Sequence, residues 1–72
     1  MARDREAEKS YSRREVIGKL RRMADALEAG RRCRIQIAGE RVSIPPDATI
    51  EIEHTRTGDE EEVEVELKWK RD

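Results

Sequence analysis

Residues 27–37 read Leu27-Glu28-Ala29-Gly30-Arg31-Arg32-Cys33-Arg34-Ile35-Gln36-Ile37, and the hydrophobic period changes within them. Before Gly30 the apolar residues are Val16, Ile17, Leu20, Met23, Ala24 and Leu27. Their spacing, i, i+1, i+4, i+7, i+8 and i+11, marks one face of a 3.6-residue helix. After Gly30 the period is two: Cys33, Ile35 and Ile37 alternate with Arg34 and Gln36, as on a strand with one buried face. Gly30 suits the boundary because it adopts the left-handed conformation that ends a helix without steric cost. Arg31 and Arg32 then lie near the negative end of the helix dipole.

Working back from this boundary, Ser12 is placed to cap the helix. Its hydroxyl can accept from a free N–H of the first turn, and Glu15, three residues on, can reach back to complete a capping box. Tyr11 and Val16 occupy the two positions of a hydrophobic staple. The predicted helix covers about residues 13–29. Residues 1–9 alternate in charge and have nothing to bury, so they are expected to form a flexible charged tail ahead of a single domain, 10–72.

Working forward, Gly39-Glu40 suits a two-residue turn of type II′, with glycine first. That turn sets Ile37 opposite Val42 and Ile35 opposite Ile44. Pro45-Pro46-Asp47 stops the second strand, since proline cannot donate to a ladder. Ile50, Ile52 and His54 alternate with Thr49, Glu51, Glu53 and Thr55, and Val63, Val65, Leu67 and Trp69 alternate with Glu62, Glu64, Glu66 and Lys68. A turn at Gly58-Asp59 pairs Ile50 with Leu67, Ile52 with Val65 and His54 with Val63. It also opposes Glu51 to Glu66 and Glu53 to Glu64, which is unfavourable. A longer loop, 58–61, would pair Glu51 with Lys68 and keep the same faces; the short turn is preferred. Short connections favour an antiparallel meander. The expected fold is therefore α+β, with one N-terminal helix packed on a four-stranded antiparallel meander sheet (α-β-β-β-β).

With 72 residues there is room for one domain, and the apolar fraction is 35% with no Phe. So small a core would benefit from self-association. Residues 1–34 hold eleven Lys/Arg against six Asp/Glu, and residues 35–72 hold five against eleven, giving +5 and −6. This asymmetry suits either a polyanion contact or head-to-tail attraction between copies. Cys33 is the single cysteine, which fits a reducing compartment. The first ten residues contain no apolar run of the kind a secretory leader needs, and the expected location is cytoplasmic, with no membrane contact.

The capped helix Ser-Arg-Arg-Glu-Val…Leu-Arg-Arg-Met-Ala-Asp-Ala-Leu-Glu-Ala-Gly precedes alternating strands. The last of these, Glu-Val-Glu-Val-Glu-Leu-Lys-Trp, ends on Trp69. Over about residues 9–70 this pattern resembles the amphi-Trp domain family of small prokaryotic proteins. The resemblance implies the α+β fold above and carries over no catalytic residue.

The candidate interaction residues fall into three groups. Trp69 shares a face with Leu67 on the last strand, which a meander leaves as an edge. It is either a cover for the end of the core or an anchor for a second copy. Glu51, Glu53, Glu64 and Glu66 form an acidic outer face that protects an edge or meets a basic partner; strands converge carboxylates poorly for a cation. Arg14, Arg21 and Arg22 lie on the outer helix face beside Asp25, which reads as a solvated face before a phosphate-binding one. His54 and Cys33 read as structural. No nucleophile–base pair, phosphate-binding glycine loop or metal-ligand spacing is present in the sequence. The expectation is a non-enzymatic module without cofactor or small-molecule substrate. It would self-associate, most simply as a dimer, or meet a protein partner; nucleic-acid binding through the arginine-rich half is the alternative.

Overall fold

A computed structural model describes residues 4–71. The part of the expected tail at residues 1–3 lies outside the described residues. Residues 4–12 have no regular secondary structure and lead into α1, Arg13–Ala29. The Ser12 hydroxyl accepts from the Glu15 N–H at 3.2 Å, and the Glu15 carboxylate accepts from the Ser12 N–H at 3.3 Å, which completes the capping box. At the other end Gly30 has φ 66°. Its N–H donates to Leu27 O at 3.2 Å and the Arg31 N–H donates to Ala26 O at 2.9 Å, the paired bonds of a Schellman cap. Both boundaries agree with the sequence.

Four strands follow: β1 Cys33–Ile37, β2 Glu40–Ile44, β3 Thr49–Thr57 and β4 Glu60–Lys68. All pairing is antiparallel, but the expected single four-stranded meander is not formed. β1 pairs with β2 and β3 pairs with β4, as two separate two-stranded sheets. The separation falls at residues 45–48, where two prolines remove two donors and the Ala48 N–H donates to Pro45 O at 3.2 Å instead of to a neighbouring strand.

The register of β3–β4 is the short-turn one, with Ile50 opposite Leu67, Ile52 opposite Val65 and Glu51 opposite Glu66. The first hairpin corrects the sequence reading. Its turn is Ala38-Gly39, so Ile35 faces Val42, Cys33 faces Ile44 and Ile37 faces Glu40. Ala38 has φ 47° and Gly39 φ 84°. Positive φ at both central residues marks a type I′ turn, whose twist matches the flanking strands. Ala38 accepts that conformation with support from Tyr11, whose hydroxyl oxygen accepts the Ala38 N–H at 2.8 Å. Because the register differs by two, each strand keeps its inward face.

The core is small and lies between α1 and the first hairpin. Ala26, Cys33, Ile35, Ile44 and Ala48 are buried, with Ile35 at 2% exposure. Met23, Ile37, Val42, Leu67 and Trp69 pack around them, half-covered. The helix meets this core through Met23, Ala26 and Leu27, with Lys19 half-buried on the same flank. The Lys19 ammonium donates to Gln36 O at 2.7 Å and stands 4.8 Å from the centre of the Tyr11 ring. Its chain N-terminal to the helix is tied down by Arg5, which donates to Ile37 O at 2.8 Å and pairs with Glu40 at 3.4 Å.

Candidate functional site

The packed flank of α1 is not the centre of its apolar stripe. At about 100° per residue, Val16, Leu20, Ala24 and Ile17 are centred about 90° round the helix from Lys19, Met23, Ala26 and Leu27. These four residues are exposed, Leu20 at 48% and Ile17 at 42%. The amphipathic pattern that defines the helix therefore faces away from the protein's own sheets along its N-terminal half.

The β3–β4 hairpin shows the same condition more strongly. Every residue of β3 is exposed, and in β4 only Leu67 is half-covered. Leu67 and Trp69 dock the base of the arm on the core. Beyond that base, Ile50, Ile52, Val63 and Val65 share one face by register and lie open, with Ile52 at 73% and Val63 at 68%. A two-stranded hairpin with an uncovered apolar face is marginal in water. At the tip of this face Glu61 accepts from Arg56 at 2.9 Å and lies 2.8 Å from His54 Nε2, all three half-exposed. Surface pairs of this kind contribute little to stability.

The opposite face of the arm carries the acidic candidates. Glu51 faces Glu66 and Glu53 faces Glu64 in the register. A hydrogen bond to Glu62, the charge of Glu62 and, more weakly, the charge of Glu66 push the Glu64 carboxyl above its ordinary range. These like charges are held together by the backbone, against their own repulsion. No group of three or more His, Cys, Asp or Glu among the described residues is arranged to hold a metal ion.

Trp69, the remaining sequence candidate, follows the end of β4 and is half-buried against the core. It also lines a cleft of about 880 Å³ whose other walls include Arg32, Lys68, Lys70, Arg71 and the opposing Asp47. Arg14, Arg21 and Arg22 are exposed and do come together: with Lys19 and Glu15 they surround a hollow of about 480 Å³ over Gly18. Sequence reasoning named Trp69 and the glutamates but missed the open faces of α1 and the arm. Alternation identifies an apolar face without saying whether its own chain covers it.

The whole surface reflects these open faces. The accessible area is 6794 Å², whereas a folded monomer of 8.4 kDa exposes about 4,600 Å². The radius of gyration, 13.7 Å, exceeds the roughly 11 Å of a compact chain of this length. Among the described residues no helix is long and apolar enough to cross a membrane. A family model for the amphi-Trp domain matches residues 1–72. No curated protein and no solved structure shows detectable similarity to the chain.

Proposed function

The chain belongs to the amphi-Trp domain family, and from its uncovered apolar surface we propose that it is a non-enzymatic interaction module that self-associates, with a dimer as the unit. One observation carries this reading: Ile50, Ile52, Val63 and Val65 form a continuous apolar face at 48–73% exposure. Contiguous apolar patches of this kind mark interaction sites. The chain exposes about 2,200 Å² more than a compact monomer of its mass, some of it on the extended residues that precede α1; a standard interface takes about 800 Å² per partner. The free edges of β3 and β4 and the rim at Leu67 and Trp69 border the same face. The single buried thiol of Cys33 and the family together support a prokaryotic cytoplasm as its location.

Size-exclusion chromatography with light scattering tests the proposal. A mass near twice 8.4 kDa that is insensitive to salt supports it. A monomer at the highest accessible concentration overturns it.

The cleft at Trp69 favours a second reading, in which the module binds single-stranded nucleic acid. An aromatic ring bordered by cations is the arrangement such ligands use, with a base stacking on the ring and phosphates on the charges. This support comes from Arg32, Lys68, Lys70 and Arg71 and not from the helix arginines, which lack an aromatic neighbour in their hollow. Trp69 is the only tryptophan, so its fluorescence reports on the cleft. Quenching by oligothymidylate that is reversed by salt supports this reading, because counterion release makes such binding steeply salt-dependent. Unchanged fluorescence at low salt removes it.

A further inference from the structure

Resting on the self-association above, we infer which surfaces meet: the β3–β4 arm of one copy lies along the α1 stripe of a second copy, reciprocally, so that each chain gives an arm and receives one. Three features of the protein converge on this contact.

The first is shape. From Val16 to Ala24 the open helix stripe runs about 12 Å at 1.5 Å per residue. From Ile50 to His54 the open arm face runs about 13 Å at 3.3 Å per residue. A two-stranded ribbon is about one helix wide, so each face is the size of the other.

The second is charge. Residues 49–68 carry eight Asp/Glu against two Lys/Arg, so the arm holds −6 and the rest of the chain +5. Packing arm on arm would bring two acidic ribbons together. The arm's glutamates point away from its apolar face, so their charge acts across the ribbon: stacked arms would still set −6 beside −6, whereas a helix with Arg13 on its stripe and Arg21 and Glu28 on its border belongs to the positive remainder of the chain.

The third is the anchoring of the arm. Pro45 and Ala48 are buried, the Ala48 N–H is bonded to Pro45 O, and Leu67 and Trp69 are docked on the core. To reach its own helix the arm would have to break these contacts. Reaching a second copy breaks none of them. A two-fold contact of this kind uses the same pair of patches twice and closes on itself.

The test uses full-length chains carrying Cys33→Ala, so that the native thiol takes no part. One chain adds Leu20→Cys and the other adds Ile52→Cys; both positions are exposed in the protomer. The chains are unfolded, mixed, refolded and treated with a short bismaleimide. Circular dichroism and light scattering on each chain alone check fold and mass. The expected product is a covalent pair containing one chain of each type, resolved by mass spectrometry, with at least tenfold less Ile52→Cys self-pairing. Predominant Ile52→Cys self-pairs would overturn the inference in favour of arm on arm. A dimer mass without cross-linking of either kind would also overturn it and leave the self-association standing. A monomer mass for the chain carrying Cys33→Ala alone, with Leu20 and Ile52 intact, would remove both. In that case a chain carrying both cysteines, cross-linked within itself, would show that the arm folds back on its own helix.

Discussion

Replacing Ile52 by Ser separates the stability of the single chain from that of the assembly. Burying an isoleucine side chain fully is worth about 2 kcal/mol. Ile52 is already 73% exposed in the protomer, so only about 0.5 kcal/mol of that is realised by folding alone. The remaining 1.5 kcal/mol or so is available when the arm is covered. In a two-fold dimer two copies contribute, giving about 3 kcal/mol, or about a hundredfold in the dissociation constant. The unfolding free energy of the dissociated chain should change by no more than about 0.5 kcal/mol, as for other surface substitutions. Sedimentation velocity over a dilution series gives the first quantity. Denaturant unfolding at the most dilute end, followed by far-ultraviolet circular dichroism, gives the second. A dissociation constant within about threefold of the parent, under 1 kcal/mol, would refute the reasoning, since the most open apolar side chain of the arm would then remain open in the assembly.

Other substitutions test the local structure. Ala38→Asn should stabilise the first hairpin by about 1 kcal/mol, because asparagine tolerates the left-handed conformation that Ala38 adopts at φ 47°; an unchanged or lower thermal midpoint would count against the type I′ turn. Ser12→Ala should cost about 1 kcal/mol by removing the helix cap. The Glu15 carboxyl, held below its ordinary range chiefly by the Ser12 side chain and then by the Ser12 backbone, should return towards that range in the same variant, read by NMR titration. Its stabilising effect is present above the unfolded-state pKa and is lost as pH falls through the folded one. Glu64→Gln should raise the thermal midpoint at neutral pH by removing a crowded charge. Because the Glu64 pKa is raised in the folded state, the parent gains stability as pH falls through that value and the Glu64 carboxylate takes up its proton. The gap between the two proteins should narrow as pH falls from neutral through the raised Glu64 pKa; a constant gap would contradict the assigned crowding.

Local rules carried much of the fold. The helix boundaries follow from Ser12, Glu15 and Gly30, whose capping chemistry is confined to a few neighbouring residues. The β3–β4 register follows from Gly58 and the alternation on both sides, even at the cost of opposing Glu51 to Glu66. In the first hairpin the sequence reading placed the turn at Gly39-Glu40, one residue beyond the Ala38-Gly39 turn that forms. The turn that forms is joined by Tyr11, 27 residues away, whose hydroxyl accepts the Ala38 N–H, a contact no short-range rule contains. The four-stranded sheet failed for a related reason. Alternation assigns faces to strands but does not say which strands become neighbours; the break between the two hairpins falls at the Pro45–Ala48 connection, whose Ala48 N–H is turned back to Pro45 O. At the candidate surface the sequence identified the apolar residues correctly. It could not distinguish a stripe that meets its own sheet from one left open, because that depends on how the helix is rotated by Lys19 and Met23 on the first hairpin.

The opposed glutamates of the arm have a further consequence for how large an assembly can become. A ribbon with one apolar side and free edges is a template for continued addition of copies, layer upon layer. Here the reverse side presents Glu51 against Glu66 and Glu53 against Glu64, with Lys68 beside Glu66 as the one cation of that face, and a further layer laid over it would have to strip water from several carboxylates. On the contact proposed above, the arm would be covered once and growth would end there, giving a discrete particle in place of a fibre.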